Sequence, residues 1–268
     1  MLKMKRRTVL VLLILLALVL RLFFAGSLGQ FLGIRGAAMS LLYQAGWYLL
    51  PLLAIMLICY RPEKILPELG LSAPVWKGFI PALVITIPMS LSYAFLGEFP
   101  DINTAARTVG LSLFAGFFEE LWFRAFVFGQ LFRRAGWGFI PAVLVNGILF
   151  GLGHLYQSSD TGGSIMVFLV TFAGAAWFSW IFIESGGNLW LPVSLHFFMN
   201  LSWGLFSMDQ TAAGGLAANI PRAITITLAI LYILIFVRKG RPLRIRVENL
   251  WINRQTHDNN SQDQGQII

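Results

Sequence analysis

Six side chains in this 268-residue chain make up nearly all of its ionisable or strongly polar groups deep within apolar stretches. Glu119 and Glu120 are adjacent in Gly116-Phe-Phe-Glu119-Glu120-Leu-Trp-Phe-Arg124; His154 ends Phe150-Gly-Leu-Gly-His154; His196-Phe-Phe-Met-Asn200 supplies the last two. An ionisable group in the middle of an apolar helix costs roughly 2.5–3.5 kcal/mol on insertion scales, so each needs a compensating role. Glu120 and Arg124 are four apart on one helical face and can form an ion pair, which gives them a structural role. Glu119 points about 100° away and has no local partner, so it is the better candidate for chemistry. His196 and Asn200 present two polar groups from one face, while Gly151 and Gly153 allow close helix packing beside His154.

A carboxylate and an imidazole that share one water can act as general base and then general acid in amide hydrolysis. A second imidazole with an amide N–H can donate to the oxyanion of the tetrahedral intermediate. Glu119, His154 and His196 could equally hold Zn²⁺ with a water in the fourth position, and the sequence does not separate these two readings. The helix lacks H-E-x-x-H, which excludes an ordinary zincin. Cys59 is the single cysteine, so neither an intrachain disulfide nor a multi-cysteine metal site is available. Asn146 reads as an interhelical hydrogen-bonding group; Glu184, at a helix end, and His257, in a polar tail, read as solvated.

The elements that position these groups must be membrane helices. The chain is 57% hydrophobic and 12% charged, against roughly 25% charged in a soluble domain. Eight stretches approach the ~20 apolar residues that cross a bilayer: Thr8–Ala25, Met39–Tyr60, Gly78–Leu96, Thr108–Phe132, Gly138–Tyr156, Ser164–Ile183, Leu189–Phe206 and Ile220–Val237. The expected fold is an all-α polytopic helix bundle around a buried polar site. It divides into helices 1–3 (1–107), a core of helices 4–7 (108–206), a last helix with a basic flank (207–248) and a polar, disordered tail (249–268). The first stretch ends in small residues like a signal peptide, but Arg21 interrupts it and the charge pattern works with the span retained as an anchor.

A net charge of +8 might suggest nucleic acid, yet the basic residues flank apolar stretches instead of forming a patch. Lys3, Lys5, Arg6 and Arg7, then Arg133 and Arg134, then Arg238 to Arg246 anchor the chain in a lipid bilayer and place both termini in the cytoplasm of a multi-pass protein. Trp47, Trp76, Trp137 and Trp190 fit interfacial belts.

Glu119-Glu120-x-x-x-Arg124, Phe150-x-x-x-His154 and His196-x-x-x-Asn200, in this order on three spans, resemble the CPBP family of CAAX proteases and bacteriocin-processing enzymes. The resemblance runs from about Thr108 to Phe206. It implies an eight-span intramembrane endopeptidase in which Glu119 and His154 activate water, His196 and Asn200 stabilise the oxyanion, and Glu120 and Arg124 support the site. Members are usually catalogued as metalloproteases, so zinc is the implied cofactor, with a metal-free glutamate mechanism as its rival. The implied partner is a peptide or protein in or at the membrane, and prokaryotic members need not cut prenylated substrates. Two other classes compete on the same residues. A proton- or ion-coupled transporter also uses intramembrane Glu, His and Arg, but no repeat pairs the two halves of the chain. A non-catalytic scaffold would have little use for so many buried polar groups.

Overall fold

A computed structural model describes residues 2–254, and among them helix is the only extended secondary structure. Helix α1 covers Leu2–Phe31, α2 Ala37–Cys59, α3 Pro62–Glu68 and α4 Trp76–Leu96. Helix α5 (Ile102–Glu119) runs without a break into a wide, π-type helix at Glu120–Phe128 and then into α6 (Gly129–Arg133). The bundle is completed by α7 (Phe139–Leu152), α8 (Thr161–Glu184), α9 (Trp190–Leu205) and α10 (Leu216–Tyr232), the last extended by a π-type turn at Ile233–Arg238.

Eight long helical paths therefore coincide with the eight expected stretches. By length and composition, six of them can span a membrane: those beginning at Arg6, Ala37, Trp76, Phe139, Thr161 and Leu216. The two that do not qualify carry most of the site. Glu119 and Glu120 lie where α5 changes pitch, and α9, which holds His196 and Asn200, has only 16 residues, about 24 Å of rise. Helix α9 is too short to qualify on its own, and α5 stops as an α-helix where the wide turn begins at Glu120. The outer surface is strongly apolar: Leu12, Phe23, Ile58, Val84 and Phe95 are all exposed, as lipid-facing residues would be.

Two close approaches set the helix spacing around the site. A Cβ on Gly116 would stand 3.0 Å from the backbone nitrogen of Phe197, so only glycine lets α5 lie this close to α9. A Cβ on Gly151 would stand 2.7 Å from the Phe168 ring, which presses α7 against α8. Asp101 and Asp160 cap α5 and α8 by accepting hydrogen bonds from the first-turn backbone N–H groups. These bonds, with those from the Thr104 and Ser158 hydroxyls, hold both carboxyls below the usual range.

Two expectations for the polar residues at the end of α8 and in the C-terminal segment need correction. Glu184 is not solvated but fully buried: it accepts hydrogen bonds from the backbone N–H groups of Arg244 (3.0 Å) and Ile245 (2.9 Å) and pairs with Arg238 at 3.4 Å. Nor does disorder begin at Asn249. Asn249 and Asn253 are buried, and the Asn253 amide donates to the Phe132 carbonyl at 2.9 Å. Residues 250–253 also exchange backbone hydrogen bonds with Gly136, Gly138 and Ile140. In both cases the returning chain completes hydrogen bonding at helix ends: its backbone N–H groups meet the Glu184 side chain at the end of α8, and residues 250–253 meet the polar groups at the end of α6 and the start of α7. His257 and the remainder of the polar tail, 255–268, lie outside the described residues.

Removing this carboxylate should loosen the whole returning segment. Glu184→Ala removes the acceptor of two backbone N–H groups and the carboxylate beside Arg238, a loss of up to about 3–5 kcal/mol for a broken buried pair. The expected result is a lower melting temperature and faster proteolysis between 239 and 254, followed by mass spectrometry.

Candidate active site

The π-type helix that starts at Glu120 places three charged groups of one segment against α9. Glu120 has no exposed surface and makes two contacts with opposite ends of its carboxylate. Oε2 lies 3.2 Å from Arg124 Nε, and Oε1 lies 2.7 Å from His196 Nδ1. The i,i+4 ion pair expected from spacing is present; its extension to His196 on another helix was not legible in the sequence. Because an ionised Glu120 can only accept, the Nδ1–H of His196 is the donor, which orients the ring.

His196 Nε2 therefore faces the other glutamate. Glu119 Oε2 stands 3.9 Å away, too far for a direct hydrogen bond, and that oxygen is buried with no hydrogen-bond partner among the described residues. The adjacent carboxylates thus have different surroundings. Glu120 is neutralised by Arg124 and engaged by His196; Glu119 has no cation paired to it other than a charged His196.

Arg124 is completely buried, and its Nη1 and Nη2 meet no hydrogen-bond acceptor among the described residues. Two aromatic faces take their place. The guanidinium carbon lies 4.4 Å from the Phe150 ring centroid and 5.3 Å from that of Phe178. Cation–π contacts of this kind are worth about 2 kcal/mol when desolvated. The same two rings hold the imidazoles: Phe150 packs on His154 at 4.4 Å between centroids, and Phe178 stacks on His196 at 5.4 Å with 23° between planes. Phe150 was conspicuous from its place four residues before His154. Phe178 carried no signal, being one of 23 phenylalanines in an apolar helix. Just beside these rings, Asn146 Nδ2 donates to Ser179 Oγ at 3.1 Å, the interhelical bond expected of it.

The remaining expected groups lie at the edge. His154 is half-buried at the end of α7, with Nδ1 2.7 Å from the Phe150 carbonyl oxygen of its own turn. It has no carboxylate within ion-pair distance among the described residues. Asn200 is exposed one turn beyond His196. Glu119, Glu120, Arg124 and His196 are thus brought together, while His154 adjoins the cluster through Phe150 and Asn200 through the helix it shares with His196. No three His, Cys, Asp or Glu side chains among the described residues converge closely enough to hold a metal ion. In this arrangement Glu119, His154 and His196 do not form a ligand set.

Breaking the buried pair should act on folding before chemistry. Arg124→Ala leaves Glu120 buried beside His196 without its cation, at a cost of about 3–5 kcal/mol. Lower protein yield and melting temperature are the expected result. Arg124→Lys should restore only part of either, because an ammonium lacks the flat face that fits between Phe150 and Phe178.

Residues 101–202 match the family described as Type II CAAX prenyl endopeptidase Rce1-like. The matched segment begins at the cap of α5 and ends within α9, so it contains every residue of the cluster. It supports the CAAX-protease family that the three motifs resemble. No curated protein and no solved structure matches the chain.

Proposed function

We propose that this multi-pass membrane protein, with an Rce1-like segment at its centre, is an intramembrane endopeptidase that hydrolyses a peptide bond in a membrane-associated peptide or protein. One observation carries the reading above the family match. Of two adjacent glutamates, the fully buried one lies 3.2 Å from Arg124 and accepts from His196, and the half-buried one has no arginine within ion-pair distance among the described residues and presents an oxygen 3.9 Å from the same imidazole. A transporter's proton relay has no need of that division, whereas hydrolysis uses a fixed support and a free base.

In this reading Glu119 takes a proton from water as the water oxygen attacks the substrate carbonyl carbon. The C=O electron pair moves onto oxygen, and donors from α9 stabilise that charge: the Nε2–H of His196 when its ring is protonated, and the Asn200 amide. The C–N bond then breaks, the electron pair reforms C=O, and the leaving nitrogen receives the proton held by Glu119. Glu120 and Arg124 position His196. His154, held beside Arg124 by the Phe150 ring, shares water activation with Glu119 as the resemblance implies. The cytoplasmic placement of both termini belongs to this proposal and follows from the basic flanks.

The direct test is cleavage of a peptide library by purified protein in lipid nanodiscs. Glu119→Gln should keep the wild-type melting temperature and lose at least ~10²-fold in rate, the usual scale for a general base. Wild-type cleavage by that variant overturns the assignment of Glu119, and substrate-driven ion uptake without cleavage favours the transporter class.

Zinc is decided separately by elemental analysis of active, chelator-washed protein. On the reading above, activity persists without stoichiometric metal, and His196→Ala costs roughly 10²–10³-fold, like removal of one oxyanion donor. Stoichiometric zinc, lost with activity in either His154→Ala or His196→Ala, would instead require His154 to swing toward Glu119 and would replace the metal-free mechanism.

A further inference from the structure

Arg21 is a cation within an apolar helix, and nothing in the proposed chemistry uses it. Three arginines at helix ends or interiors have acidic partners, Arg124 with Glu120, Arg134 with Glu68 and Arg238 with Glu184, while Arg133 and Arg222 each combine an aromatic ring with a backbone carbonyl acceptor. Arg21 has no carboxylate within ion-pair distance among the described residues. Its guanidinium carbon lies instead 3.8 Å from the ring centroid of Tyr48. Arg21 stands about ten residues before the end of α1 and Tyr48 about eleven after the start of α2. The pair thus sits roughly 15 Å of helix rise from the α1–α2 connection, further than an arginine side chain reaches.

Tyr48 connects this cation to the candidate site. It is 5% exposed, and its ring packs on Phe118 (6.0 Å between centroids, 23° between planes) and Trp122 (5.9 Å, edge-on). Those two residues flank Glu119 in the chain. Arg21 itself is only half-buried, and its guanidinium face is held by the ring. A guanidinium fixed by its face presents its N–H fork at the edge, the geometry that binds a carboxylate through two parallel hydrogen bonds.

We infer that Arg21, held by Tyr48, forms a subsite beside Glu119 that binds a carboxylate carried by the substrate. The inference rests on the endopeptidase reading for its choice of ligand. A carboxylate gives Arg21 the neutralising partner it lacks, and repulsion from Glu119 keeps that anion away from the reacting water. The subsite therefore fixes which bond of the bound peptide reaches Glu119, so that Arg21 sets specificity and cleavage position. Arg21 lies outside the Rce1-like segment 101–202, so this selectivity belongs to the N-terminal helices of this chain.

The test separates binding from cleavage. In nanodiscs of neutral lipid, Glu119→Gln protein is titrated with three peptides of one sequence: a free C-terminus, a C-terminal amide, and the amide with one Glu replacing Gln. At least one carboxylate peptide should bind about 10-fold or more tightly than the plain amide, as for a charge-assisted bidentate pair. Adding Arg21→Gln should bring that ratio close to one, and Arg21→Lys should keep part of it. Preference for the free terminus assigns the main-chain carboxylate; preference for the Glu peptide assigns a side chain. Equal binding of all three peptides, or a ratio unchanged by Arg21→Gln, overturns the subsite. An Arg21 effect seen only when anionic phospholipid is added also overturns it, in favour of a lipid phosphate. Arg21-dependent binding without cleavage by the wild type leaves the subsite standing and removes the endopeptidase reading; cleavage with no Arg21-dependent binding does the reverse.

Discussion

The Glu120 carboxylate is the constraint around which the bundle is arranged. Fully buried, it cannot remain ionised unless its charge is met, and it is met from two directions: by Arg124 on its own helix and by His196 on α9. Once that three-way contact forms, the rotation of the wide helix and the position of α9 are fixed relative to each other. The direction in which Glu119 points then follows from its place one residue earlier. Much else serves this contact. Gly116 lets α5 and α9 come close enough for it, and the rings of Phe150 and Phe178 supply the faces that a buried guanidinium needs where it has no further acceptors.

Those two rings also explain how side chains from three helices form one unit without a continuous hydrogen-bond network. Phe150 carries Arg124 and His154; Phe178 carries Arg124 and His196. Aromatic packing supplies rigidity in a region where unpaired hydrogen-bonding groups would be costly. It leaves polar edges free to meet a substrate and a water molecule.

The sequence made the local relations visible and hid those that depend on helix approach. Glu120 with Arg124 was readable because both lie on one helical turn. The all-α membrane architecture was readable because hydropathy reports it directly. The contact from Glu120 to His196 spans 76 positions and depends on a glycine, so spacing could not reveal it. His154 was expected to share water with Glu119, and the sequence did not show that its Nδ1 would be taken by its own backbone carbonyl, which leaves Nε2 for that role. Glu184 was misread for a related reason. An acid at the end of a helix looks solvated until the chain 60 residues later folds back over it. Nothing in the sequence singles out Tyr48, and only its aromatic neighbours tie it to the glutamates.

The wide helix at Glu120–Phe128 has a consequence for how this chain tolerates change. There the Gly129 N–H reaches the Arg124 carbonyl five residues back, where an α-helix would close after four. Such a segment holds, in effect, one residue more than an α-helix of the same length requires. Removing one residue between Glu120 and Gly129 would let the segment close to ordinary pitch with the helices on either side still in register, while the side chains within it are redistributed around the axis. Arg124 would then leave its place between Phe150 and Phe178 even if the deleted residue had touched neither ring. The count of residues between Glu120 and Gly129 is therefore a determinant of the site in its own right, and single-residue deletions there would reveal a dependence that side-chain replacement leaves unseen.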